Sequence, residues 1–499
     1  MIIPLRPQRL WLSAVAAGAL IGGLGVALHY HRLGLTLSHY DARGHLVVAR
    51  RILDSITPGW QQVGAVWLPL PHLLNMIPVQ IDAFYRTGAS AVAISIVSFA
   101  VATGAIAWII FQMTASRLAG LAGAAVFAFN PNVLYLQATP MTEPLLFVLL
   151  TCGVAFLIAW CEGALTSSSL VGWTFALACM TRYEAWPVTA SALAAAAWAR
   201  WRAGDDWFLA VRRVGTIGLY PLVAVLGFML YSRIVIGAWL VTSGFFVPDN
   251  PAGGHPLAAI TQIVWGARTL SGYGLVAAAA AGLGVLVVAG LTDRRRASAL
   301  VPVSLLLTAA LPWFAFVKGH PYRIRYMVPL IVIQAVGAGV AVGAWKRARL
   351  LPVLALSALV LMELRPLDPA AAMVVEAQWD RPNMAARRHV TDCLRAGYGG
   401  ETIMVSMGSL GHYMQELSLA NFNIRDFLHE GNGGIWRNAL DGPRPFAGWI
   451  LIEEKSEGGD MLAQAARERP DFLEGFSRVC DAAGTALYRR DPGPALPKS

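Results

Sequence analysis

The chain has 499 residues, of which 56% are hydrophobic and 14% charged. A soluble globular domain carries about a quarter charged residues, so this balance excludes an ordinary soluble protein. The formal net charge is +10, but no run of Lys and Arg is long enough for a nucleic-acid arm; in a membrane chain such an excess reflects basic loops at anionic headgroups.

Apolar runs of about 20 residues, enough to cross a bilayer as a helix, recur along the chain. After a short basic start, "MIIPLRPQR", the first run covers 10–28 and reads as a retained span, since no cleavage site stands out. Ten more spans are expected at 87–113, 118–135, 144–161, 170–181, 186–201, 214–236, 272–291, 300–317, 326–345 and 350–364. Basic residues in short loops mark the cytoplasmic side. Arg6 and Arg9 place the N-terminus there. Alternation then puts Arg117, the loop 200–213, "DRRR" at 293–296 and "WKRAR" at 345–349 on the same side. The expected fold is an α-helical polytopic protein of the plasma (inner) membrane, with about 11 transmembrane helices in residues 1–365.

The first loop, 29–86, then lies outside. It opens with "LSHYDARGH", which sets Asp41 and Arg43 between His39 and His45. "HLVVARRILDSI" follows and predicts an interfacial amphipathic helix. Leu46, Ala49, Leu53 and Ile56 share one face, with Arg50, Arg51 and Asp54 away from it. The segment 65–81 is apolar, but Pro69, Pro71 and Pro78 oppose a lipid-exposed span, so it is expected to lie in the interface.

After Leu364 the chain turns polar. Residues 366–499 are expected to form an extracytoplasmic α/β domain with strands near 402–406, 448–454 and 485–490 and a loose tail, "DPGPALPKS". "GSLGH" after the first strand resembles a phosphate loop only weakly; an ordinary strand-to-helix turn is the stronger reading. Cys152, Cys161 and Cys179 lie in or beside spans and read as small hydrophobes. Cys393 and Cys480 are the polar domain's two cysteines. In an oxidising compartment they are expected to lie close enough to bond, although two unpaired thiols fit nearly as well.

Ionisable groups from distant parts of the sequence gather in the outer loops. They are Asp41; Glu143 in "MTEP"; Arg182, Tyr183 and Glu184 in "TRYE"; and Lys318, His320, Arg323, Arg325 and Tyr326 in "KGHPYRIRYMVP". Carboxylates there can accept a proton and guanidiniums can hold phosphate or carboxylate. Each also has a plainer reading. Asp41 and Glu143 can cap helices. Arg182 and Glu184 can pair with each other. The late basic residues can contact headgroups, and the tyrosines can belong to an aromatic belt. His39, Asp41 and His45 could hold a divalent metal, but their spacing matches no standard zinc motif, so no cofactor is required.

Together these features resemble the GT-C glycosyltransferase superfamily: a first outer loop with an aspartate, two interfacial helices after it, an "MTE" turn, a "TRYE" turn and "RYMVP" before a late span. The nearest types are the protein O-mannosyltransferases and the bacterial aminoarabinose transferases. The resemblance covers roughly residues 10–345. It implies a sugar donor on a polyprenyl phosphate at the outer membrane face and inversion at the anomeric carbon. Asp41 matches the first-loop aspartate and Arg325 the late arginine-tyrosine motif. Ala42 stands where the O-mannosyltransferases carry glutamate, and the C-terminal domain differs from their β-rich insertions.

The chemistry of such a transfer fits these residues. Asp41 would take the proton of an acceptor hydroxyl. Arg325 and Arg323, with His320 or Arg182, would stabilise the leaving phosphate. Arg43, Glu143, Tyr183, Glu184 and Tyr326 would support the site. The acceptor could be a glycan, a lipid or a protein. A lipid flippase or transporter is the main rival, but those place ionisable groups within spans, which here are nearly free of them. A membrane-anchored binding protein is a third reading.

Overall fold

The computed structural model describes residues 5–241, 250–345 and 350–492. The side chains of Arg6 and Arg9, residues 242–249, Lys346–Arg349 of the last basic cluster and the tail from 493 lie outside the described residues. The chain divides into two compact units. One comprises the chain to Gly34, Ala91–Leu240 and, where described, Pro248–Glu376; the other contains Leu35–Ser90 and the chain from Ala377.

The first unit is helical. Among the described residues seven segments are long and apolar enough to cross a membrane: Leu10–Arg32, Ala89–Thr114, Glu143–Cys161, Trp207–Val235, Tyr273–Thr292, Arg294–Val317 and Ile324–Gly343. Three shorter apolar helices, Arg117–Ala128, Ser168–Cys179 and Leu350–Glu363, and the helix Ala185–Arg202 fill the other expected positions. The span expected at 118–135 is broken. Its helix ends at Ala128, and a new turn, Pro131–Leu136, starts at Asn130, whose side chain accepts from Asn132 N at 3.0 Å. Proline disfavours the helical conformation in the residue before it, and asparagine is a strong N-cap, so "NPN" ends one helix and begins another. The helix Pro256–Ser271 was not anticipated between the expected spans.

Leu330–Gly343 is buried along nearly its whole length. It packs closely on Tyr273–Thr292 because both present small residues: a Cβ at Gly282 would collide with the Gly337 carbonyl. Such close backbone approach is how helices gain packing in lipid, where burial of apolar surface offers no drive. The start of Tyr273–Thr292 is held by Glu363, which accepts from Gly274 N at 2.6 Å and Leu275 N at 2.8 Å. A carboxylate at the positive end of a helix is stabilising.

The second unit is an α/β domain with the first loop built into it. Its sheet has the order β2-β1-β3-β5-β4, with β1 Ile403–Val405, β2 Phe427–Leu428, β3 Trp449–Glu453, β4 Phe476–Ala482 and β5 Thr485–Arg490. β1 lies parallel to β2 and β3, while β5 is antiparallel to β3 and β4. The three expected strands are present; β2 and β4 were not foreseen. The turn from β4 to β5 uses Ala483 at φ 52° and Gly484 at φ 84°, the left-handed pair that a tight hairpin needs. Cys393 and Cys480 form a disulfide, with Cα atoms 6.7 Å apart.

The helix Tyr40–Arg51 is not the amphipathic surface helix expected. Every residue from Asp41 to Arg50 is buried. Its polar side has partners instead of water. Arg50 donates to Asp54 at 2.9 Å, pairs with Asp82 at 2.7 Å and lies over the Tyr85 ring. Asp54 in turn accepts from Arg425 at 2.8 Å. Gln62 donates to the Gly431 carbonyl at 2.9 Å, and Asn432 donates to Ser55 at 3.1 Å. The segment 65–81 forms a six-residue helix, Leu70–Asn75, and a single turn, Pro78–Gln80, and no span, as its prolines demand.

Candidate active site

Two polar groups carry the expected site residues, one in each unit. In the second unit, Asp41 stands in the first turn of Tyr40–Arg51 and is largely buried. The N-cap is His39, whose Nδ1 accepts from the Asp41 backbone N–H at 3.1 Å. The helix-cap reading of Asp41 therefore fails, because the cap position belongs to the preceding histidine. Tyr40 stacks on His39 and meets His412 edge-on at 6.4 Å.

His412 comes from the helix Met407–Leu417 and is the last residue of "GSLGH". Its pKa is lowered to about 3: burial is the main cause, Asp380 and Asp41 oppose it, and Arg387 and Arg43 add to it. The imidazole is thus neutral at neutral pH. Arg43 donates to Asp380 at 2.8 Å and to the Ser38 carbonyl at 3.4 Å, and pairs with Glu416. Arg387 donates to Asp380 at 2.7 Å and to Glu416 at 3.0 Å. Burial alone would raise the Asp380 pKa, but the hydrogen bond from Arg387 and the charges of His412, Arg387 and Arg43 take it down to about 2.

The remaining loop histidine, His45, faces His72 across 3.1 Å, with Trp67 against both rings. Burial holds His72 well below the usual imidazole range, aided by His45 and Arg51. His39 and His45 thus each turn Nδ1 to a protein partner. The one group of metal-ligand type whose atoms converge, among the described residues, lies elsewhere: His389, Cys393 and Cys480, the last two joined as the disulfide.

The turn at "GSLGH" holds its own anion. Glu430 accepts from Ser406 Oγ at 2.6 Å and Met407 N at 2.8 Å, with Gly408 N at 3.4 Å. A carboxylate occupies the position a phosphate would take, so this is a strand-to-helix turn with an internal cap.

In the first unit, Glu143, Arg182, Glu184 and Arg325 come together. Arg182 donates to Glu143 at 2.9 Å, Thr142 at 3.0 Å and Glu184 at 2.6 Å. Arg325 Nε lies 3.5 Å from the same Glu143 oxygen. The expected Arg182–Glu184 pair is present, but it belongs to a buried cluster of two guanidiniums and two carboxylates. Glu143 is fully buried, and its Oε2 has no hydrogen-bond partner among the described residues. Tyr183 packs edge-on to Trp186 at 5.1 Å. His320 meets the Tyr326 ring, and its carbonyl accepts from Asn250 at 2.6 Å. Arg323 is half-buried just before the turn Ile324–Met327.

Sequence reasoning missed the second unit's contributors: Asp380, Arg387, His412 and Glu416. A signal existed for Arg387. It shares a helical face with Val390 and Leu394, and all three are buried. A charge on an apolar face must find a partner.

No family model matches the chain, and no curated protein matches it. Solved structures do. ArnT from Cupriavidus metallidurans in the apo state superposes with a TM-score of 0.57 at 11% identity, over 95% of this chain and 98% of that one. The same protein bound to undecaprenyl phosphate gives a TM-score of 0.55 at 12% identity, over 96% and 99%. The likeness covers nearly the whole of both chains and shows that this chain shares the fold of those structures.

Proposed function

We propose that the protein is an inverting membrane glycosyltransferase. It would move a sugar from a polyprenyl phosphate to an acceptor hydroxyl at the outer face of the plasma membrane. The observation that carries the reading is the fold shared over nearly the whole chain with ArnT, a structure of which holds undecaprenyl phosphate.

In this reaction the acceptor oxygen attacks the anomeric carbon as the bond from that carbon to the phosphate oxygen breaks. Attack from the opposite face inverts the centre. Asp41 accepts the hydroxyl proton, and the polyprenyl phosphate leaves with both electrons of the broken bond. Arg325 and Arg323, with His320 or Arg182, take up the phosphate charge; planar guanidiniums suit it because they donate two parallel hydrogen bonds. General-base help is worth about 10²–10⁴-fold. Preorganised positive charge at the leaving group usually lowers the barrier by more.

The test is mass spectrometry of lipids that co-purify with the full chain, followed by transfer assays in proteoliposomes with the donor so identified. A prenyl-phosphate sugar, consumed with release of the prenyl phosphate, supports the reading. Movement of that lipid across the bilayer with its sugar bond intact would instead make the protein a flippase.

A further inference from the structure

Among the described residues of the second unit, apolar side chains stand exposed along one stretch of the first loop: Leu73, Leu74, Ile77, Ile81 and Phe84. They follow one another through the short helix Leu70–Asn75, the turn Pro78–Gln80 and the helix Asp82–Thr87. The helix Asp82–Thr87 ends this stretch, and only Gly88 separates it from the apolar helix Ala89–Thr114. Chain length alone therefore ties the stretch to a bilayer boundary. Three residues separate Arg86 from Ala89, a reach of at most about 11 Å.

A turn of the C-terminal domain is fastened to this place. Arg86 donates to Asn421 Oδ1 at 3.2 Å, and Gln415 donates to the Tyr85 carbonyl at 3.2 Å. Between those two anchors runs the turn Ser418–Ala420, closed by Asn421 at φ 70°. Ser418 and Phe422 are buried, but Leu419 at the tip is 67% exposed. An aliphatic side chain offered to water on a short turn, beside a row of others, has the form of a membrane-contacting loop.

We propose that the Leu419 turn is a membrane-contacting element of the C-terminal domain, placed in the same lipid surface as the Leu73–Phe84 face. The domain is then held to the bilayer at a second point besides its covalent link after Leu350–Glu363. This does not depend on the transferase reading.

The test places photoactivatable p-benzoylphenylalanine at position 419 of the full chain, in nanodiscs of phosphatidylethanolamine and phosphatidylglycerol bearing an alkyne tag. Position 84 is the positive comparison, and position 437, on the helix Gly434–Asp441, the negative one; Arg437 and Leu419 are both exposed. The expected result is lipid adduct at 419 comparable to that at 84 and at least about fivefold above 437. Lipid adduct no higher than at 437 would overturn the proposal. So would a protein adduct at 419 in native membranes in place of lipid, which would make the turn a protein-docking site.

Discussion

Arg43 donates through Nη2 to Asp380 at 2.8 Å, across 337 residues of sequence. One partner follows the candidate base of the first loop by two positions; the other precedes the first long helix of the C-terminal domain. With Arg387 and Glu416 they make a cluster of two guanidiniums and two carboxylates, and both arginine side chains are 2% exposed. The C-terminal domain therefore forms part of the structure that holds the Asp41 loop. Continuous hydrophobic burial could hold two segments together in several registers, whereas these pairs fit only one.

Removing the central carboxylate should expose this dependence. Asp380→Ala leaves Arg43 and Arg387 buried with Glu416 as their remaining acid. Breaking a buried pair by deleting one partner costs about 3–5 kcal/mol, because a charge is left uncompensated. The expected outcome is a loss of that size in denaturant unfolding of the second unit, read as protease sensitivity of the segment after Ala377. A loss below about 1 kcal/mol would place the cluster in the class of weak surface pairs.

The same cluster sets a pH dependence. The folded-state pKa of His412 is about 3, against an ordinary 6.5. Between those values the unfolded chain binds the extra proton, so stability falls as pH is lowered from 6.5 toward 3. Asp380 acts in the same sense at lower pH. Its contribution is complete above 3.8 and is lost as pH falls through about 2. Asp380, Arg387, Arg43 and Asp41 are the charged groups that act on the imidazole. His412→Gln should flatten the decline between pH 6.5 and 4 while leaving the steeper acid limb. An unchanged curve would mean that His412 is solvated and ordinary.

Much of this architecture was legible. The spans follow from runs of apolar residues, and a run needs no tertiary context to be recognised. Cys393 and Cys480 could be paired because they are the polar domain's only two cysteines. What escaped was the burial of Tyr40–Arg51. Arg50, Arg51 and Asp54 look like a solvated face when only neighbours in sequence are counted; their partners Asp82 and Arg425 lie far along the chain. The glycines of "GSLGH" are what make it resemble a phosphate loop. Its bearing on the site lies in His412, while Glu430 holds the helix start.

The disulfide offers a separate test of the second unit. It closes a loop of 87 residues. In the chain-entropy account such a closure stabilises by about 4.6 kcal/mol at 25 °C, with engineered and removed bonds giving about 2–5. Cys393→Ser with Cys480→Ser should lower the unfolding midpoint of that unit and leave the apolar spans unaffected. No change under oxidising conditions would show that the bond does not form.

Arg325 is the group proposed to hold the leaving phosphate. Arg325→Lys keeps the charge but loses the planar fork, so transfer at subsaturating donor should remain impaired, by about tenfold or more. The kinetic split is informative. A rise in KM alone points to donor binding, while an equal loss in kcat and kcat/KM points to charge developing in the transition state. Full activity would assign Arg325 to the buried pair with Glu143 and nothing further.

The decisive residue is Asp41. Its neighbour His39 already caps the helix through Nδ1, so Asp41→Asn should leave the helix start intact. The amide keeps the shape of the carboxylate and most of its hydrogen bonds but cannot accept the proton. Transfer should fall by about two to four orders of magnitude with donor binding retained. His39→Ala supplies the contrast. Loss of a cap costs about 1 kcal/mol of stability and should lower activity only through folding. Measured side by side, the two variants separate chemistry from structure. If Asp41→Asn and Asp41→Ala both transfer sugar at near wild-type rates, the base must be sought at Glu143 or Glu184, the carboxylates of the first unit's cluster. Glu143 is then the better candidate, since one of its oxygens has no hydrogen-bond partner among the described residues.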